Sequence, residues 1–145
     1  MTEPVVLLSP TQLTPGQRLT ARLAVGAARL LAKAPPRHIR RVLFLVRRGG
    51  GPASAGHASA ARQTVVSVSL RCAGRVCLQR SLATALLCRM HGTWPTWCTG
   101  VRTSPFRAHA WVEVNGVPIG ESFGPSYYTA IMTVPPTREA AKQSL

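Results

Sequence analysis

The sequence predicts an α+β domain in which N-terminal helices and a nucleophile-bearing helix pack on a small antiparallel sheet. Two observations support this fold class. Residues 14–48 and 77–90 carry apolar side chains at helical spacings, whereas residues 94–134 divide into short strand-like segments separated by turns. Helices that precede the strands, rather than alternate with them, favour an antiparallel sheet. A length of 145 residues with 46% apolar content suits one domain with a core.

The first predicted helix begins with a Thr14 N-cap and Pro15 in the first turn, and Pro35-Pro36 ends it. Its expected apolar face consists of Leu19, Leu23, Ala27, Leu30 and Leu31. A second helix follows and is surrounded by arginines, which we interpret as a solvated helix face. Its expected apolar residues are Ile39, Val42, Leu43 and Val46.

The middle of the chain combines loop, strand and helix signals. Residues 49–56 form a loop by their glycine and proline content. Residues 58–70 favour a strand by propensity, yet their apolar side chains also fit one face of a helix. A turn at residues 72–75 leads into a helix that runs from Cys77 to a glycine stop at Gly92. The remaining predicted segments are a strand (94–101), a loop (102–107), a hairpin (109–121), a turn (122–128) and a last strand (128–134).

This order divides the chain into four parts. We predict an N-terminal arm at residues 1–13 and a helical part with a glycine-rich linker at residues 14–58. The core follows at residues 59–134, and the tail occupies residues 135–145.

The charge balance is strongly positive, with a net charge of +14 from eighteen Lys and Arg against four acids. Such a surface attracts polyanions, whether nucleic acid, acidic peptide or acidic protein. No nucleic-acid recognition motif accompanies the charge, so we expect no nucleic-acid ligand. The N-terminus lacks a basic region, and no apolar run approaches the roughly 18 residues of a membrane helix. We therefore expect a cytoplasmic protein without a membrane span.

One of the four cysteines is placed to react. A helix N-terminus stabilises a thiolate through its free N–H groups and dipole, and Cys77 is the cysteine at such a position. Cys72, Cys88 and Cys98 are interpreted as small buried apolar residues. Cytoplasmic thiols stay reduced and the spacings do not fit a CxxC zinc site, so we expect neither disulfides nor a bound metal.

His109 is the predicted base for Cys77. His38 and His57 lie in the helical half of the chain. His91 lies about 20 Å from Cys77 along the same helix, too far for proton transfer. A cysteine at a helix start, a histidine on a strand and an acid on the next strand are the parts of a thiol nucleophile site.

The turn of the hairpin decides which acid orients His109. Glu113 shares its face but lies about 13 Å farther along the same strand. A two-residue loop at 115–116 would direct Glu121 to the opposite face. A three-residue loop closed by Gly116 as a left-handed bulge residue would place Glu121 directly across from His109. We predict the bulged turn, assign Glu121 as the orienting residue, and interpret Glu113 as an ion-pair partner of an arginine.

Three segments stand out together: Cys77-Leu-Gln-Arg-Ser-Leu-Ala83, Trp94-Pro-Thr-Trp-Cys-Thr-Gly-Val-Arg102 and Pro105-Phe-Arg-Ala-His-Ala-Trp-Val-Glu-Val114. They resemble the leader peptidases of lasso-peptide biosynthesis, which belong to the transglutaminase-like, papain-related cysteine proteins. The resemblance covers about residues 59–134 and favours a helix over residues 58–70. Its most specific feature is the cysteine block with a His-Ala-Trp strand 32 residues later.

The resemblance implies a peptidase that removes the leader from a ribosomally made lasso precursor without a cofactor. An ATP-dependent, asparagine-synthetase-like cyclase would then close the macrolactam ring on the freed core N-terminus. Family triads hold Cys, His and usually Asp, which map onto Cys77, His109 and Glu121. The glutamate adds one methylene and loosens the orientation of the imidazole. Nothing in residues 1–58 resembles the fused leader-recognition domain of some members, which predicts a separate recognition protein.

The oxyanion donors are expected to be the Cys77 backbone N–H and an indole N–H of Trp94 or Trp97. Two alternatives to the peptidase remain open. A transglutaminase-type acyl transferase shares the same constellation. A non-catalytic basic scaffold or nucleic-acid-binding module is supported by the net charge alone.

Overall fold

The computed structural model describes residues 14–68, 77–124 and 126–137. It confirms the predicted fold class, a mixed α+β fold that is 50% helical and 25% strand with a small antiparallel sheet. In chain order the elements are α1 (Pro15–Leu31), α2 (Pro36–Val46), β1 (Gly51–Pro52), α3 (Ala55–Val68), α4 (Cys77–Met90), β2 (Thr93–Trp94), β3 (Thr96–Thr103), β4 (Phe106–Val114), β5 (Val117–Pro118) and β6 (Thr129–Val134). The predicted arm at 1–13, the turn at 72–75 and residues 138–145 of the tail lie outside the described residues. The division into four parts stays a prediction.

Helix α1 begins where predicted but buries a different face. Thr14 and Gln17 form a capping box, in which each side chain accepts a hydrogen bond from the other residue's backbone N–H. The buried residues are Ala21, Ala24, Val25 and Ala28, whereas the predicted apolar face is largely exposed. The small side chains let α1 lie close against α3 and α4, since the distance between packed helices depends on the side chains at the contact.

Helix α4 lies at the centre of the fold. It contacts α1, α3 and β4. Half of its fourteen residues are therefore buried, namely Ser81, Leu82, Ala83, Thr84, Ala85, Leu87 and Cys88. Gly92, with a φ of 88°, follows its C-terminus as predicted. The ambiguous residues 58–68 form part of helix α3, which buries Ala58, Ala61 and Val65.

The main sheet is antiparallel with the strand order β5-β4-β3-β6. Strands β3 and β4 pair from Thr96 with Glu113 to Thr103 with Phe106, so Ser104 and Pro105 alone connect them. The loop predicted at residues 102–107 is therefore shorter than expected. A second pairing, unpredicted and parallel, joins the two-residue strands β1 and β2. Within the described ranges, no helix combines the length and apolar character needed to cross a membrane.

Candidate active site

The thiol of Cys77 reaches the open edge of strand β4. The Ile119 N–H donates to the Val112 carbonyl at 2.9 Å, so Val112 directs its peptide groups toward the β5 side. The peptide groups of Ala110, two residues earlier on the strand, point to the same side. Strand β5 ends at Pro118, before it reaches Ala110. The half-buried Cys77 at the start of α4 takes that place and forms hydrogen bonds with the Ala110 backbone and the His109 side chain.

The imidazole of His109 lies between the thiol and a carboxylate. Its Nε2 atom is 2.9 Å from Oε1 of Glu121, and the two side chains are 16% and 10% exposed. Because Nε2 is engaged by Glu121, Nδ1 is the nitrogen that faces Cys77. The structure thus brings together all three residues that the sequence predicted as a catalytic set.

The hairpin reaches this geometry by a route that differs from the prediction. Asn115 and Gly116 have φ values of 53° and 81°, and Val114 pairs with Val117 across them. Two positive φ values in a two-residue loop define a type I′ turn, so the predicted bulged turn is wrong. Continued in this register, the return strand would place Ser122 opposite His109. Gly120, with a φ of 70°, instead breaks the strand after Ile119 and turns Glu121 toward His109.

Two arginines that the sequence analysis did not single out complete the charge pattern. Nη2 of Arg62, on α3, is 3.7 Å from Oε2 of Glu121, the carboxylate oxygen that does not bind His109. A Cβ atom at Gly120 would lie 2.6 to 2.8 Å from the Arg62 side chain, so the glycine also makes room for this arginine. The charge of Arg80, one turn into α4, acts on Cys77, Glu121 and Arg62. Arg80 belongs to the segment that begins at Cys77, whereas no sequence signal distinguishes Arg62 from the other cations.

The electrostatics favour a thiolate–imidazolium pair. Burial raises the pKa of Cys77, but the hydrogen bonds with His109 and Ala110 and the nearby positive charges outweigh it, so this pKa lies below 9.0. Hydrogen bonds to Cys77 and Glu121 raise the pKa of His109 from 6.5 to about 9. Burial likewise opposes ionisation of Glu121, yet His109, Arg62 and Arg80 lower its pKa. The lowered pKa of Cys77 and the raised pKa of His109 thus both favour the charged forms of the two side chains.

Aromatic rings fix the plane of the imidazole. The Tyr128 ring stacks on His109 at 5.4 Å and 22°, and Trp111 stacks at 6.0 Å and 14°. Phe123 meets His109 edge-on at 5.5 Å. Rings stacked on a histidine also favour its cationic form through cation–π attraction. These three residues were not predicted as part of the site.

The predicted tryptophan donors are not available to the thiol. The Trp94 indole donates to the Val134 carbonyl and the Trp97 indole to the Ser81 hydroxyl, both at 3.0 Å within the core. This oxyanion assignment is therefore corrected, because each indole N–H is already bonded. The Cys77 backbone N–H stays the predicted donor.

Glu113, the other internal acid, accepts a hydrogen bond from the Trp111 indole at 3.0 Å. Among the residues that the structure describes, this bond takes the place of the arginine ion pair that was expected. Cys88 and Cys98 are buried, as predicted. Among the described residues, no group of three or more His, Cys, Asp or Glu side chains is placed to hold a metal ion.

A comparison with protein families identifies the superfamily of this fold. A family model described as the transglutaminase-like superfamily matches residues 21–133, well over half of the chain. The matched range contains Cys77, His109 and Glu121 together with the helices and the sheet that position them. No curated protein matches the chain, and no solved structure does. The chain belongs to the transglutaminase-like superfamily.

Proposed function

We propose that this protein is a cysteine peptidase that removes the leader from a ribosomally made lasso-peptide precursor. The observation that carries the peptidase assignment is the hydrogen-bonded series of Cys77, His109 and Glu121, with Nε2 and Oε1 2.9 Å apart. The choice of substrate is supported by the resemblance of the three sequence segments to lasso leader peptidases.

The chemistry follows from the charges at the site. The Cys77 thiolate attacks the carbonyl carbon of the peptide bond before the core, and the tetrahedral oxyanion accepts a hydrogen bond from the Cys77 backbone N–H. The His109 imidazolium donates its Nδ1 proton to the leaving amine, which is the N-terminus of the core peptide. His109 then removes a proton from water, which hydrolyses the thioester and releases the leader with a free carboxylate. Glu121 holds the imidazole in position and stabilises its cationic form.

The proposed partners follow from the same resemblance. A separate leader-recognition protein presents the precursor, and an ATP-dependent, asparagine-synthetase-like cyclase closes the macrolactam on the released core. We place these steps in the cytoplasm. The net charge of +14 suits an acidic leader or an acidic partner, and this association should weaken as the salt concentration rises.

Mass spectrometry of a cognate precursor tests the proposal. The precursor is incubated with the recognition protein and wild-type chain or Cys77→Ala, without ATP and with or without added methylamine. Leader release as a free acid by wild type alone is the expected result. Leader recovered as a methylamide would instead indicate an acyl transferase. Cleavage that survives in Cys77→Ala, or no cleavage once the recognition protein is shown to bind, would contradict the proposal.

A further inference from the structure

Helix α1 presents an apolar stripe on the side that faces away from the core. At about 100° per residue, Leu19, Leu23 and Leu30 lie within about 40° of one another around the helix. The buried residue Ala28 lies on the opposite side of the same helix. These leucines are 59%, 57% and 71% exposed. A surface helix normally turns its largest apolar side chains toward the core, whereas α1 buries alanines and leaves leucines in water.

A groove adjoins this leucine stripe. It has a volume of about 440 Å³ and is lined by residues of α1, α2 and α4: Leu23, Ala27, Val46, Leu86, Arg89 and Met90. Met90 is itself about half exposed. The stripe and the groove together form a continuous apolar surface that side chains of another molecule could enter, and such surfaces on soluble proteins mark interaction sites.

Cations follow one side of the leucine stripe. Arg18 and Arg22 are both exposed and lie about 60° to 100° around α1 from Leu19. The groove lies on the other side. The surface is therefore asymmetric, with positive charge along one border and an apolar depression along the other.

We propose that this surface of α1 docks an acidic amphipathic helix of a partner protein. Leucine-like side chains of the partner would occupy the groove and cover Leu23 and Leu30, while its carboxylates would pair with Arg18 and Arg22. The stripe from Leu19 to Leu30 spans about 16 Å, which matches three turns of a partner helix. The proposal does not depend on catalysis at Cys77.

Other occupants fit these features less well. A second copy of the chain would bring together two bodies of charge +14, each with four acids to offset it. A membrane surface is flat and suits a helix with cations on both borders of a convex apolar face. Here one border is a groove, and among the described residues that line it Arg89 is the one basic counterpart to Arg18 and Arg22.

Fluorescence anisotropy with full-length protein tests the docking surface. The probe is a labelled synthetic helix of about five turns with leucines on one face and glutamates elsewhere. A scrambled peptide of the same composition is its control. The protein variants are Leu23→Gln with Leu30→Gln, Arg18→Gln with Arg22→Gln, and Ile131→Gln as a matched control on β6, where Ile131 is 66% exposed. Glutamine retains helix propensity, and circular dichroism checks that each variant is folded.

We expect the amphipathic probe to bind below about 100 μM and the scrambled peptide at least about tenfold more weakly. The double leucine variant should lose about tenfold or more in affinity, since it removes two buried contacts. The double arginine variant should lose about threefold at low salt and little at high salt. Ile131→Gln should bind as wild type does.

Several results would overturn the proposal. Equal binding of the scrambled peptide, or wild-type affinity in the double leucine variant, would show that the probe binds through charge attraction alone. Absence of probe binding at about 100 μM would show that this surface does not dock such a helix. Two further measurements address the other occupants. Leucine-dependent binding to phosphatidylglycerol vesicles without probe binding would assign a membrane, and leucine-dependent dimerisation in sedimentation would assign a second copy.

Discussion

Cys77 and Cys88 lie on the same helix, eleven residues apart, and have opposite chemical character. Cys77 is half-buried at the N-terminal end, where His109 and the Ala110 backbone hold its pKa below 9.0 despite burial. Cys88 is fully buried about 16 Å farther along the helix, and burial raises its pKa to about 12. The same side chain therefore has a lowered pKa at one end of α4 and serves as core packing at the other.

The difference shows that other elements of the fold, and not α4 alone, activate the thiol. Strand β4 supplies His109 and the Ala110 N–H that bonds the thiol. The segment after β5 supplies Glu121, and α3 supplies Arg62. Cys98 on β3 supports the same conclusion, because burial raises its pKa to about 12 as well. The following predictions test this contrast between the two ends of α4.

Alanine substitutions should have opposite consequences at the two positions. Cys77→Ala should lower kcat/KM for the precursor by at least about a thousandfold, because the nucleophile is lost. Its free energy of unfolding should change little. Cys88→Ala should retain activity within about threefold but lose about 1–2 kcal/mol of stability, since it leaves a small cavity in the core. Precursor cleavage and urea unfolding measure the two effects. Full activity of Cys77→Ala would contradict the assignment of Cys77 as the reactive cysteine of the two.

Alkylation should separate the thiols without a substrate. At pH 7, iodoacetamide should modify Cys77 at least about a hundredfold faster than Cys88 or Cys98, because the buried thiols are almost entirely protonated. The reactivity of Cys77 should decline as the pH falls through its lowered pKa. Peptide mass spectrometry measures each site, and denaturant should equalise them. A Cys77 rate that follows the titration of an ordinary thiol would contradict the ion pair.

Glu121→Gln should reduce kcat/KM by about 10- to 100-fold, because the amide no longer stabilises the imidazolium. The hydrogen bond to Glu121 helps raise the pKa of His109 to about 9, and protonated His109 is lost as the pH rises through that value. The basic limb of the pH–rate profile should therefore move to lower pH in this variant. Glu113→Gln, whose carboxylate binds Trp111, is the matched control and should leave the limb in place. An unchanged basic limb in Glu121→Gln would exclude Glu121 from this role.

Much of this site could be predicted from the sequence because its signals are local. A cysteine that opens a helix and a histidine on a strand each follow from capping, spacing and propensity. The scarcity of acids left Glu113 and Glu121 as the internal carboxylates, so the contact with His109 was anticipated even though the turn was wrong. Asn115-Gly116 suits both turn types, and the positive φ of Gly120 that redirects the chain has no distinct pattern in the sequence.

The features that were missed depend on long-range packing. Arg62 is one of eighteen Lys and Arg residues, and it differs from the others in that the fold places its side chain beside Gly120. The apolar face of α1 was assigned to Leu19, Leu23 and Leu30 because an amphipathic pattern identifies apolar residues without showing which of them meet another helix. The buried face consists mainly of alanines, whose small size permits close contact with α3 and α4.

The smallest expected effect concerns Arg62, which we interpret as a positioning residue for Glu121. Arg62→Ala should lower kcat by about three- to tenfold with little change in KM, because the carboxylate loses the partner that holds its second oxygen. Arg107→Ala, which removes an exposed cation from the same protein, should leave kcat within about twofold of wild type. A KM increase in both variants would indicate that the charge merely attracts the substrate.

A double-mutant cycle with Gly120 distinguishes positioning from general stability. Gly120→Ala should also lower kcat, because the new Cβ would lie 2.6 to 2.8 Å from the Arg62 side chain and push it away from Glu121. In the Arg62→Ala background this collision is absent, so Gly120→Ala should retain only the backbone strain of a φ near 70°. The two substitutions should therefore cost less together than the sum of their separate effects on transition-state free energy. Strict additivity would mean that Gly120 and Arg62 act independently.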